Sequence, residues 1–210
     1  MSRRLPSLPS YAIAAVLLVG ALFVSLYLWQ LGDAREAQLS QASVQTGVAD
    51  VGGPFSLIDQ NGVRTTDQDF RGRYMLVFFG FTYCPDVCPT TLAILAAALD
   101  EIGPAAENIV PILITVDPAR DTPAALKAYL SSFGPNFVGL TGTKEEIAAA
   151  ADAYHAFYEI LEREGGDYTL NHSTAIYLMG PEGKFVTSYT LNMGPEAIAA
   201  DLGKYQLGES

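Results

Sequence analysis

The fold class this sequence predicts is α/β: one domain built on a mainly parallel sheet and carried behind an apolar N-terminal segment. Three observations predict it. Tyr74–Phe79 and Ile109–Val116 are continuous apolar runs, the composition of strands buried on both faces. Each is followed by a helical pattern, and strands alternating with helices imply parallel pairing. From Leu5 to Gly32 there is no charge at all, so an apolar head stands apart from the rest of the chain.

The 210 residues are about half apolar, enough for one ordinary domain and a short extra segment. Aromatics are plentiful, which excludes a disordered chain. Two cysteines exclude a disulfide-stapled miniprotein. The formal charge of −11 excludes nucleic acid as a partner, because binding there needs a basic footprint. Arg3 and Arg4 are the only charges among the first 32 residues, so the acidic excess belongs to the body.

Within the head, Tyr11 to Trp29 runs nineteen residues with only Gly20 and Ser25 as interruptions. As a helix it covers about 28 Å, close to the hydrocarbon core of a bilayer. Tyr11 and the Tyr27/Trp29 pair stand at its ends, where aromatic rings favour the interface. We therefore expect a cytoplasmic N-terminus over residues 1–10 and a transmembrane helix over 11–31. A flexible linker follows over 32–50, then a globular domain over 51–210. The basic pair before the span places the N-terminus inside and the domain on the exported side, periplasmic or equivalent. The alternative is a signal peptide cleaved near Gly32-Asp33-Ala34; the length and the aromatic flanks favour an anchor.

The domain opens with Gly52-Gly53-Pro54. Phe55–Ile58 and Val63–Thr65 flank Asn61-Gly62, which predicts an N-terminal β-hairpin. The buried strand Tyr74–Phe79 comes next, then a helix from about Thr90 to Ile102 and the second buried strand, ended by Asp117-Pro118. Thr122 caps a helix with Pro123 at its first position. Thr143 and Glu146 form a capping box for a helix expected to end near Phe157. Glu159 to Tyr168 is charged, contains glycine and reads as a loop. Ser173–Met179 and Phe185–Tyr189 read as a closing hairpin, and Ala197–Tyr205 as a terminal helix.

The chemistry lies in Phe81-Thr82-Tyr83-Cys84-Pro85-Asp86-Val87-Cys88-Pro89, between the first buried strand and its helix. That is the carboxyl end of a parallel strand, where open α/β sheets place their ligands. Cys88 falls near the first helical turn, where free N–H groups favour thiolate over thiol. A purely structural disulfide is the plain reading of such a pair, but a loop this short stabilises by only about 2 kcal/mol. A close thiol pair can instead exchange disulfides or bind a soft metal. Two thiolates hold Cu(I), an imidazole completes a three-coordinate site, and structural zinc wants four ligands.

Two histidines are available. His155 lies inside the capped helix beside aromatics and reads as a surface or packing residue. His172 precedes a predicted strand, a loop position that alone signals only solvent exposure; the cysteine motif raises its interest. Asp117 and Asp121 resemble a carboxylate pair, yet turn formation, capping and an ion pair with Arg120 explain them more simply. Met193 reads as a packing residue rather than a soft ligand.

The segment Gly80–Pro89 resembles the signature of the Sco/SenC family, the copper proteins of cytochrome c oxidase assembly. So do Gly53-Pro54-Phe55-Ser56-Leu57, Asp117-Pro118-Ala119-Arg120-Asp121-Thr122, Gly139-Leu140-Thr141-Gly142-Thr143 and His172-Ser173. The resemblance spans residues 52 to about 205. It implies a thioredoxin-like fold behind a membrane anchor, with Cys84, Cys88 and His172 as ligands of copper, Cu(I) or Cu(II). It further implies that the target is the copper-centre subunit of cytochrome c oxidase, with other copper chaperones or thiol reductants as further partners. Many members carry Asp just before this His; here it is Asn171, which removes a charge beside the site. The expected protein is a non-enzymatic metallochaperone. The alternative is a thiol-disulfide oxidoreductase in which Cys84 and Cys88 are the redox-active pair, able to close a disulfide.

Overall fold

The computed structural model describes residues 51–163 and 165–206. The expected cytoplasmic stretch, transmembrane helix and linker lie outside the described residues. In order the elements are β1 (Ser56–Asp59), β2 (Arg64–Thr66), β3 (Tyr74–Gly80), α1 (Val87–Ile102), β4 (Ile109–Thr115), α2 (Pro123–Leu130) and β5 (Val138–Thr141). They continue with α3 (Lys144–Ala153), β6 (Tyr158–Glu162), β7 (Tyr168–His172), β8 (Ile176–Met179), β9 (Phe185–Tyr189) and α4 (Pro195–Gln206).

Seven strands form one sheet in the order β2-β1-β5-β4-β3-β8-β9. Its centre, β5-β4-β3, is parallel; β8 and β1 join antiparallel on either side. Every residue of β4, and all of β3 after Tyr74, is buried, so both faces of the centre are covered. Fully burying an apolar side chain of this size stabilises by about 1.5–3 kcal/mol, which makes these strands the core. Pro111 is tolerated in the middle of β4 because β5 pairs only from Ile112 onward, so its missing N–H falls beyond that ladder.

Helix α1 packs beside α4, and Leu92, Leu95 and Ala98 sink into the core. Among the described residues, Val87–Asn108 has the length and apolarity of a membrane span. Those buried positions make it a core helix instead. The expected caps are present: Thr122 Oγ1 accepts from Ala125 N–H at 3.2 Å, and Thr143 and Glu146 bond reciprocally at 3.2 and 2.8 Å.

Four expectations need correction. Helix α1 begins three residues earlier than Thr90, because Pro89 sits in its first turn, where a missing N–H costs nothing. Helix α3 stops at Ala153 rather than near Phe157. His155 takes a left-handed φ of 52°, and its N–H bonds to the Asp152 carbonyl while that of Ala156 reaches Ala151. That is a Schellman ending, with histidine where glycine is usual. The expected loop Glu159–Tyr168 is instead most of a two-stranded antiparallel ribbon, β6–β7, separate from the main sheet. The strand expected from Ser173 begins at Ile176, because Ser173 is used to close the ribbon: it donates to the Phe157 carbonyl and its Oγ accepts from Phe157 N–H, both at 2.8 Å.

Candidate metal centre

The parallel register pairs Gly80 with Thr115, so β3 and β4 end side by side. Past Gly80 the chain turns through Phe81 to Asp86 and enters α1 at Val87. Gly80 is required by close approach: a Cβ there would lie 2.8 Å from both Cys88 Sγ and Phe78 Cε1. Cys88, at the second helical position, is fully buried; Cys84 is half-buried. Both thiols are free.

An N–H group at a helix start has no intrahelical acceptor. Here Cys88 N–H donates to Cys84 Sγ at 3.4 Å. The Cys88 side chain, with help from the backbone N–H groups of Asp86 and Cys88 and against the cost of burial, brings the Cys84 thiol down to about 4. The Cys88 thiol moves the other way, against the thiolate expected of it at the helix start, because its hydrogen bond with Cys84 and its burial both raise it. The pair therefore holds one thiolate, at Cys84, and one proton, at Cys88.

His172 closes the site from the other side. It is the last residue of β7, not a free loop position. Its Nε2 stands 3.3 Å from Cys88 Sγ, and its Nδ1 lies 2.8 Å from the Ser173 carbonyl. A carbonyl only accepts, so Nδ1 carries a proton there, and Nε2 is the nitrogen that faces the sulfurs. The edges of Phe78 and Phe81 flank the ring, with centroids at 5.9 and 5.7 Å. The ligand atoms of Cys84, Cys88 and His172 all lie within 4.8 Å of one another.

The other candidates fall elsewhere. His155 belongs to the end of α3 and does not converge with the three. Met193 packs against the core. Asn171 points to solvent. Asp117 pairs with Arg120 at 2.5 Å, as expected. Asp121 forms no such pair among the described residues and is wholly buried. It accepts from Thr82 N–H at 3.0 Å, Thr82 Oγ1 at 2.5 Å and Thr115 Oγ1 at 2.6 Å, tying the cysteine loop to the end of β4. Sequence reasoning missed this anchor; its only outward sign was an aspartate in a segment already explained by turn chemistry.

Two sulfurs and an imidazole are soft donors, and three of them suit copper better than a four-ligand zinc site. Fold and donors together define a thioredoxin-like metal-binding domain. The SCO1/SenC family model matches residues 43–206, and the chain belongs to that family. The fission yeast protein sco1, from Schizosaccharomyces pombe, is 39% identical over 203 residues, covering 93% of this chain and 77% of that one. The structure of Bradyrhizobium japonicum ScoI with copper bound is 46% identical, with a TM-score of 0.70 over 74% of this chain and 99% of that chain. BsSco, a Sco-family cytochrome c oxidase assembly protein in which a disulfide switch was identified, is 23% identical with a TM-score of 0.61, over 79% of this chain and 98% of that one. At that identity the likeness shows the fold alone.

Proposed function

We propose that this chain is a membrane-anchored metallochaperone that delivers copper to the dinuclear copper centre of cytochrome c oxidase, with Cys84, Cys88 and His172 as the copper ligands. The observation that carries this reading is the convergence of the three ligand atoms, with Nδ1 of His172 held on the Ser173 carbonyl and Nε2 turned toward the sulfurs. Bound there, copper is cargo. The protein supplies one thiolate at rest, gives up the Cys88 proton on loading and offers an imidazole already turned inward. A half-buried Cys84 leaves one sulfur within reach of an acceptor's thiolate, as a carrier needs.

Anaerobic titration of the reduced protein with Cu(I) tests the reading. One copper should bind. Replacing either cysteine by serine should nearly abolish binding, and His172→Ala should weaken it or change its spectrum. His155→Gly should do neither, since a left-handed backbone suits glycine. Unaltered binding by His172→Ala would remove that residue from the site.

The low-lying Cys84 thiol beside a buried partner thiol favours a second reading, a thiol-disulfide oxidoreductase that keeps the oxidase's copper-ligand cysteines reduced. His172 separates the two, because simple exchange does not require it. For location we infer an N-terminus in the cytoplasm, a retained span over 11–31 and the domain on the exported side, on the strength of the basic pair and the apolar head. A topology reporter fused after Tyr205 should be active only outside. A mature chain starting near Arg35 would show a cleaved signal instead.

A further inference from the structure

His172 rides on a ribbon that shares no ladder with the main sheet, so backbone pairing does not set its distance from the cysteines. Residues Glu159 to Glu162 of β6 are exposed, and in β7 only Leu170 is fully buried. Something else must hold the ribbon in place. The guanidinium of Arg120 lies 3.8 Å from the ring centroid of Tyr168, on β7, and 4.8 Å from that of Tyr83, on the cysteine loop. Its Nη1 donates to the Tyr168 carbonyl at 3.2 Å and faces Asp167 at 3.5 Å. Its Nε is fixed on Asp117 at 2.5 Å, and Asp117 also accepts from the Tyr168 hydroxyl at 2.8 Å. Asp117 N–H in turn donates to Thr115 Oγ1, which donates to Asp121, the anchor of Thr82. Both routes out of Arg120 thus lead to the cysteine loop on one side and the histidine strand on the other.

We propose that Arg120 is a positioning residue of the metal centre: stacked between Tyr83 and Tyr168, it sets the spacing between the loop that carries Cys84 and Cys88 and the strand that carries His172. Tyr83 is adjacent to Cys84, and Tyr168 stands four residues before His172, about 13 Å along the strand. Shifts at the clamp therefore reach both halves of the ligand set. A planar cation that stacks on both faces is what this place requires. Nη2 is buried with no hydrogen-bond partner among the described residues, so the rings, not a full set of acceptors, define its seat. A lysine keeps the charge beside Asp117 and loses the plane.

The inference rests on the copper reading for its metal readout and on exchange of the metal-free protein for the other. In the reduced full chain, Arg120→Gln and Arg120→Lys should speed amide hydrogen exchange in residues 82–88 and 168–172 together, leaving the centres of β3 and β4 protected. Tyr83 is 65% exposed, so Tyr83→Ala cannot disturb the core and serves as the variant certain to fold. It should loosen the cysteine loop in the same way. Competition for Cu(I) against a chromogenic chelator should show each variant about 10- to 100-fold weaker, the scale of a lost outer partner of a metal ligand. Added to His172→Ala, the same changes should cost nearly nothing more, because the contact they position is already gone. A merely structural role would lower affinity equally in both backgrounds and raise exchange throughout the domain; either result overturns the proposal. So does unchanged exchange in either segment. Failure of the wild-type protein to bind copper would refute the copper reading, and the exchange pattern would still decide whether Arg120 joins the two segments.

Discussion

At the residue scale the two thiols are chemically unequal although only four positions apart, Cys84 in the loop and Cys88 in the first turn of α1. Cys84 collects the helix-start N–H and the hydrogen bond of its neighbour, while Cys88 is fully buried, its sulfur close against Gly80. Alkylation of the reduced protein should therefore hit Cys84 alone and persist down to a midpoint near pH 4, far below an ordinary thiol. Equal labelling of both cysteines, or a midpoint in the usual range of about 8.5, would refute the asymmetry. Linkage follows the same signs. The Cys84 value is lower folded than unfolded, so its stabilisation is complete above the unfolded value and fades as pH falls toward 4. The Cys88 value is raised, so its contribution is complete below the unfolded value and is lost as pH climbs beyond it. Loading copper at neutral pH should accordingly release close to one proton, from Cys88, measurable by titration in weakly buffered solution.

Elements meet at the site because β3 delivers the cysteine loop and the β6–β7 ribbon delivers the histidine. Gly80 is the joint between β3 and α1, with Cys88 Sγ and Phe78 pressed against the space a side chain would take. Gly80→Ala should destabilise the domain by about 1–3 kcal/mol, the scale of overpacking, and weaken copper binding by pushing Cys88 aside. Unfolding curves and copper affinity measured on one preparation test both halves; an unchanged stability would show that the loop yields freely. The caps at Thr122 and Thr143, the buried runs of β3 and β4 and the closing strands were all legible, because each is written in local spacing. The ribbon was not. Its strands are held by each other's backbone, and the exposed stretch Glu159–Glu162 carries no apolar alternation to announce it. β5 escaped notice for a related reason: four residues, Val138 to Thr141, are too few to display a period.

For the whole molecule, the site's capacity depends on redox state. A bridge between Cys84 and Cys88 would occupy the electrons that copper needs, so the oxidised protein should keep its fold and bind copper far more weakly, with a dithiol reductant restoring binding. Closing so short a loop stabilises by only about 2 kcal/mol, so the thermal midpoint should shift little on reduction. Equal copper affinity in both states would sink the thiolate site; global unfolding on reduction would make the bridge structural. By itself the sequence determined the α/β class, the strand-to-helix setting of the cysteines, the caps and the acidic character of the body, since these depend on residue type and spacing along the chain. Only the tertiary structure decided that His172 ends a ribbon, that His155 leaves its helix, that Asp121 is buried under Thr82 and that Arg120 lies between Tyr83 and Tyr168. The contacts of Asp121 with Thr82 and of Arg120 with Tyr83 and Tyr168 join residues 37 to 48 positions apart, and no local pattern records a contact made across the fold.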